Sequence, residues 1–308
     1  MSTIYNQRKK IVVIGSSNTD MTVKAQRLPI PGETILGGTF IMNPGGKGAN
    51  QAIAAARLGA DVTFISKIGN DLFGIQALET YKSEMIKTEY IFTDNQNPSG
   101  VALISIDSFG ENCIIVAAGA NMSLSPQDIN KAFNSIKEAD VILIQLEIPL
   151  DTVEYAVDMA YGLGKKVILK PAPARPLSVK LIKKLYAIVP NRVEAEILTG
   201  IKVSDEKSAH KAAQIISRKG VGNVVVTMGK NGAFVKEGDA CRWLLAKDVE
   251  TVDTTGSGDV FCGALSVYLS EGYSLMESVA FANTAAAIAV TRIGAQSAIP
   301  FRYEVDIT

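Results

Sequence analysis

At 308 residues with 47% hydrophobic content, the chain has the apolar material for one large α/β domain and is too apolar to be a disordered segment. Lys plus Arg equals Asp plus Glu at 31 each, so no global field draws it to nucleic acid or to an anionic membrane surface. Cys113, Cys241 and Cys262 are dispersed and point to reduced thiols, and the lone His210 in a polar helical stretch excludes His-dependent triads and His-rich metal sites. Gly15, Ser16, Asn18 and Asp20 cut the first apolar run short of a signal peptide, and no run reaches membrane-spanning length; a soluble, cytoplasmic protein is expected.

Along the chain, short β-branched runs alternate with amphipathic helical stretches. Ile11–Ile14, Val62–Ile65, Val141–Ile144, Val167–Leu169, Ala187–Val189 and Val224–Val226 read as buried strands. Helices are predicted near 48–58, 72–86, 126–138, 151–162, 178–185, 192–199 and 205–219, with two more at about 258–271 and 275–291. This alternation predicts an α/β fold in three layers: a doubly wound, mostly parallel sheet with helices on both faces. Residues 20–43 and 99–118 break the rhythm as strand pairs without a helix between them. They predict a small antiparallel β lid beside the main sheet, the alternative being edge strands of that sheet. Neither repeats nor an interdomain linker is visible, so residues 1–308 read as a single domain.

The densest chemistry lies in Asp253-Thr-Thr-Gly-Ser-Gly-Asp259, which runs straight into the apolar stretch Val260–Leu265. Gly256, Ser257 and Gly258 bare backbone N–H groups where a helix starts, which makes an anion site. A carboxylate on the same turn would repel a merely bound anion, so Asp259 reads as a base; a hydroxyl between it and a phosphate would be deprotonated there. A capping carboxylate in an ordinary loop is the bland alternative. Asn43-Pro-Gly-Gly-Lys-Gly-Ala-Asn-Gln51 offers Gly46, Lys47, Gly48, Ala49 and Asn50 at a helix N-terminus, suited to a polyhydroxylated ligand, and lacks a P-loop's Gly-Lys-Ser/Thr ending. Asn18 and Asp20, two apart after the first strand, suit two sugar hydroxyls or a simple turn. Glu147 follows an apolar strand and needs a donor. Asn191 and Glu194 have capping-box spacing, equally compatible with a metal or phosphate role. Thr227, Met228, Gly229, Lys230, Asn231 and Gly232 form either a hairpin turn or a backbone open to a base or phosphate.

Together and in this order, these segments resemble the ribokinase family of sugar and nucleoside kinases, the phosphofructokinase-B-like enzymes. The resemblance runs from about residue 10 to 303 and rests on Gly45–Gly69 and Asp253–Leu265. It is strengthened by Asn18-Thr-Asp20, Pro31-Gly-Glu-Thr34, Gln145-Leu-Glu147, Pro171-Ala-Pro-Ala174 and the stretch from Ala285 to Gln296. It implies transfer of the ATP γ-phosphate to the 5-hydroxyl of D-ribose, with Asn18, Asp20, Gly46 to Asn50 and Glu147 around the sugar. Asp259 would be the base and Gly256 to Gly258 the anion hole. Asn191, Thr227 to Gly232 and Asn283 would surround the nucleotide, and Asn191 and Glu194 would place Mg²⁺ largely through water. A monovalent cation, usually K⁺, would sit at Asp253, Thr255, Ala289, Arg292, Gly294 and Ala298. The lid would cover the sugar and pair with a second subunit's lid in a homodimer.

Two positions depart from the family pattern: Ala298, where a serine is frequent, and Lys170, where asparagine is usual. The nearest alternative is a sister kinase for another sugar or a nucleoside. A non-catalytic sugar-binding regulator would have no use for Asp259, and a dehydrogenase lacks its dinucleotide turn after the first strand.

Overall fold

In the computed structural model, which describes residues 8–307, the first third of the chain forms β1 (Lys10–Ile14), β2 (Asn18–Lys24), β3 (Thr39–Gly45), α1 (Lys47–Arg57), β4 (Asp61–Gly69), α2 (Leu72–Ser83), β5 (Ile91–Asp94), β6 (Gly100–Ile106) and β7 (Asn112–Ala117). The middle holds α3 (Pro126–Lys131), α4 (Phe133–Glu138), β8 (Val141–Ile144), α5 (Leu150–Gly162), β9 (Lys166–Leu169), α6 (Val179–Ile182), β10 (Ala187–Ile188), α7 (Arg192–Thr199), α8 (Glu206–Ser217) and β11 (Asn223–Thr227). The edge hairpin β12 (Ala233–Glu237) and β13 (Ala240–Leu244) precedes α9 (Ser257–Glu271), α10 (Leu275–Ala289) and α11 (Arg302–Asp306).

The main sheet has the order β13-β12-β11-β10-β9-β8-β1-β4-β5, parallel from β11 to β5, with β12 and β13 antiparallel at one edge. Helices cover both faces, so the central strands are apolar throughout and buried. Residues of α1, α9 and α10 pack with Ile11, Val13 and Phe64 on one face. Those of α3, α4, α5, α7 and α8 pack with Val12, Ile14 and Ile142 on the other. After β1 the chain continues toward β4 and β5, then returns to place β8 on the opposite side of β1. That reversal opens a crevice beyond the carboxyl ends of β1 and β8, where open α/β sheets take their ligands.

The second sheet, β3-β2-β6-β7, is separate from the first, as the lid reading expects and the edge-strand reading does not. Its outer pairings are antiparallel, and its central pair, β2 with β6, is parallel. The predicted helix over 126–138 divides at Ala132, whose N–H bonds back to Ile129, and the one over 178–185 shortens to α6. The 227–232 turn joins β11 to β12 antiparallel as a hairpin, and its Gly229, Lys230 and Asn231 stay exposed. His210, on α8, is half-buried against Phe234 rather than fully solvated, and hydrogen-bonds Gln214.

Candidate active site

The crossing of α1 over α9 sets the geometry of the site. A Cβ on Gly263 would stand 2.5 Å from Ala54 Cβ, so only glycine lets the two helices approach this closely. One turn toward each N-terminus, the same approach brings Asn50 and Gln51 of α1 to Asp259 of α9. Asn50 Nδ2 donates to Asp259 Oδ2 at 3.1 Å and Gln51 Nε2 to Oδ1 at 2.9 Å. Behind these amides stand two more: Gln145 donates to Gln51 Oε1 at 2.6 Å, and Gln296 to Asn50 Oδ1 at 3.1 Å. The buried Asp259 carboxylate is thus aimed by a chain of four amides. Burial pushes its pKa up and the Glu147 charge adds to that, while Lys47 and the two amides act in the opposite sense without cancelling it. A carboxylate with a raised proton affinity is a better base toward a hydroxyl.

Asp259 opens α9 from a left-handed Gly256 (φ 73°), which lies against Ala295. The turn leaves the N–H groups of Gly256 and Gly258 without an acceptor among the described residues, at the positive end of a 15-residue helix. Ser257 N–H and Oγ instead bond Thr254 O. The cradle and the carboxylate therefore adjoin, as the sequence pattern expects.

Lys47, Gly48, Ala49 and Asn50 form the first turn of α1, entered through Gly46. This turn docks on the end of β1, where Gly48 N–H donates to Ser16 Oγ and Ala49 N–H to Ser16 O. Glu147, beyond β8, accepts from Ser16 Oγ and from Lys47 N–H at 3.1 Å, with Lys47 Nζ 3.4 Å away. Burial would lower the Lys47 pKa, but the Asp259 and Glu147 carboxylates hold it above its ordinary value. Asn18 is buried, its Oδ1 taken by Asn121 Nδ2 at 2.7 Å. It lies in β2 on the same face as Asp20, so both are strand residues rather than a turn. Asp20 is pushed up to about 6 by burial and by the Glu147 charge, with Lys47 opposing. Glu147 thus pairs with the Lys47 ammonium, whose charge also acts on Asp20 and Asp259.

Farther along the carboxyl edge, Asn191 and Glu194 make the capping box of α7: Glu194 N–H donates to Asn191 Oδ1 at 2.8 Å, and Asn191 N–H to Glu194 Oε2 at 2.7 Å. Lys170, at the end of β9, donates to the same oxygen at 2.6 Å. Glu194 Oε1 accepts no hydrogen bond among the described residues. A magnesium ion held mainly by phosphates and water, with one carboxylate oxygen turned toward it, suits such a group. Asn191 bridges to Thr227, and Met228 N–H bonds Gly232 O across a turn in which Gly229, Lys230 and Asn231 are exposed. Asn283 Nδ2 donates to Leu244 O and Leu245 O, tying α10 to the end of β13 beside this turn.

Beside the cradle, Asp253 Oδ1 accepts from Thr255 N–H and Oγ, and Oδ2 from Gly294 N–H at 2.9 Å. Burial raises its pKa, but these bonds outweigh burial and hold it below the usual carboxylate range. Arg292 N–H bonds Ala289 O, its guanidinium pairs with Glu304, and Ala298 is buried. Ser297, next to Ala298, turns its hydroxyl to Ile293 O. The oxygen-rich donor set fits a hard cation. Among the described residues no group of three or more His, Cys, Asp or Glu is placed to hold a metal ion.

Ser16, Gln51, Asn121, Gln145 and Gln296 position the site without having been assigned roles from sequence. For Gln145 a signal existed: an amide ending an apolar strand needs a buried partner as much as Glu147 does.

The signature of the pfkB family carbohydrate kinases matches residues 8–302. The chain is 44% identical over 297 residues to the ribokinase of Haemophilus influenzae, covering 96% of this chain and 97% of that one. It is 38% identical over 291 residues to the deoxyribokinase of Salmonella typhi, covering 94% and 95%. The solved Arabidopsis thaliana ribokinase complexed with ribose and ATP superposes with a TM-score of 0.90 at 31% identity, covering 98% of each chain.

Proposed function

From the premise that the chain belongs to the pfkB family of carbohydrate kinases and is a kinase of the ribokinase type, we propose that it transfers the γ-phosphate of ATP to the 5-hydroxyl of D-ribose, giving ribose 5-phosphate and ADP. The observation that carries this reading is the buried, amide-oriented Asp259 beside two N–H groups without acceptors among the described residues at a helix N-terminus. The sugar sits among Asn18, Asp20, Gly46 to Asn50 and Glu147, with its 5-hydroxyl toward Asp259. Asp259 takes the proton as the oxygen attacks in line, and the cradle of Gly256 to Gly258 stabilises charge on the phosphoryl group. Lys47, paired with Glu147 and facing the Asp259 charge, balances the two carboxylates.

Asn191, Thr227 to Gly232 and Asn283 line the nucleotide site, and Asn191 and Glu194 would hold Mg²⁺. When bound, that ion neutralises phosphate charge. Asp253, Thr255, Ala289, Arg292, Gly294 and Ala298 would hold K⁺, whose positive charge would sit beside the cradle. The small sheet acts as a lid, with Asp20 on its inner face. On its outer face Met42, Met21, Leu103 and Ile115 form a cross-strand row, and Phe40 lies on the same side. Of these, Phe40, Met42, Leu103 and Ile115 are exposed, which supports a homodimer through the lid. The enzyme's place of work is the cytoplasm, where ATP and reduced thiols coexist.

The deoxyribokinase relatives favour 2-deoxyribose as the second reading. ATP-dependent phosphorylation of ribose, 2-deoxyribose, fructose and adenosine, each with and without K⁺, tests the proposal. Ribose is expected to give the highest kcat/KM, and a higher value for any other acceptor overturns the assignment.

A further inference from the structure

Lys170 stands at the carboxyl end of β9, with its side chain only 6% exposed. Its ammonium carries three donors, and among the described residues one acceptor meets them, Glu194 Oε2. That oxygen is shared with Asn191 N–H, so Glu194 does not exhaust the ammonium. A buried ammonium is costly unless its charge and its N–H groups are both satisfied, and a single shared carboxylate oxygen pairs the charge while taking only one of the three N–H donors. The side chain runs beside the anion cradle: Lys170 Cε is 3.8 Å from where a Cβ on Gly258 would lie. Its charge also reaches Cys262, one turn farther along α9, where it acts against the burial that pushes the thiol up to about 12.

The geometry points to Lys170 as a further catalytic residue, whose two uncommitted N–H donors take oxygens of the phosphoryl group held at Gly256 and Gly258 while its third bond stays on Glu194. The inference rests on the phosphoryl-transfer reading. The cradle supplies backbone dipoles on one side of the transferred group, and Lys170 a full positive charge on another. A loose transition state, with charge spread over its equatorial oxygens, gains from both. Glu194 keeps the ammonium from swinging away between turnovers, and no existing contact breaks when phosphate arrives.

Binding of ADP and of the β,γ-methylene analogue of ATP, each with Mg²⁺, separates this role from a merely structural ion pair. In Lys170→Met the analogue is expected to bind about 10-fold or more weakly, with ADP within about twofold of the unaltered protein. Its kcat should fall by roughly 10²-fold with the ribose KM little changed, as for loss of one preorganised donor to developing charge. Equal weakening of both nucleotides, or of neither, overturns the inference. Lys170→Gln, which keeps a donor toward Glu194, provides the same comparison should the methionine variant not fold. A crystal structure of the unaltered protein with the analogue supplies a third arm: Nζ beyond hydrogen-bond reach of every γ-phosphate oxygen also overturns it. The nucleotide comparison is independent of the sugar, so an absence of ribose phosphorylation by the unaltered protein would refute the assigned reaction while leaving the Lys170 contact open to confirmation or refutation.

Discussion

Replacing Asp259 with asparagine removes the base while barely changing shape, and the amide chain determines what else changes. Asn50 Nδ2 and Gln51 Nε2 each donate to one carboxylate oxygen, so an NH₂ group at residue 259 sets donor against donor on one side. The row through Gln51 can absorb this, because it ends in Gln145 Oε1, which is buried without a partner among the described residues, as is Gln296 Oε1 at the end of the other row. Turning over Gln51 with Gln145 restores every bond in that row and exchanges an orphaned oxygen for an orphaned N–H, whereas turning over Asn50 with Gln296 also gives up the Gln296 Nε2 bond to Gly45 O. The penalty of a buried charge also disappears. Stability should therefore move by no more than about 1–2 kcal/mol. Turnover should fall about 10²–10⁴-fold for loss of a general base, which at about 1.4 kcal/mol per decade is roughly 3–5 kcal/mol of barrier. ADP release with ribose and MgATP gives kcat, and calorimetric titration with ribose gives affinity, expected within a few-fold of the unaltered protein. A kcat within about threefold of normal would refute the assignment of Asp259 as the base.

Gly263→Ala places a methyl 2.5 Å from Ala54 Cβ and should drive α1 off α9. About 1–3 kcal/mol of stability should be lost by overpacking and about 10²-fold in kcat by misplacing Asn50 and Gln51; urea unfolding and steady-state kinetics check both, and unchanged kcat would separate the helix crossing from the site. Glu147→Ala takes the acceptor from Ser16 and Lys47 and, in the proposed site, from the sugar. The ribose KM should rise by roughly 10–100-fold, at about 1.5–3 kcal/mol for a charged hydrogen bond, with the ATP KM little altered; an unchanged ribose KM removes Glu147 from the pocket. Asp20 has its folded pKa raised from 3.8 to about 6, so its protonated form favours the folded state. Its contribution to stability is complete below pH 3.8 and lost as pH rises through about 6, by up to about 3 kcal/mol. Asp20→Asn should gain stability relative to the unaltered protein between pH 4 and 7 in urea titrations, and parallel pH profiles would contradict the assigned shift.

The parallel core was legible because a sheet covered on both faces demands unbroken apolar runs, and Ile11–Ile14, Val141–Ile144 and Val224–Val226 can satisfy that demand only as buried strands. The second sheet was visible as strand pairs, but the parallel β2–β6 pairing was not, since it joins residues about eighty positions apart through a third of the fold. The short strand β12, the exposed edge strand β13 and the interruption of the 126–138 helix at Ala132 left only weak local signals. At the candidate site, the cradle and Asp259 could be read directly, because glycines, a helix start and a carboxylate are contiguous in the chain. Asn191 and Glu194 were equally plain as a capping box, a pattern of local spacing.

What the amino-acid order determines alone is therefore what one turn or one strand can express: the glycine-rich helix start, the caps, and the buried runs. The tertiary structure decided the rest: the orientation of Asp259 by Gln145 and Gln296 through Gln51 and Asn50, the hold of Asn121 on Asn18, and the placement of Lys170 beside both Glu194 and Gly258. Each of these contacts joins groups on different elements. An amide or ammonium shows in sequence only that it needs a partner when buried, and packing alone determines which partner it meets.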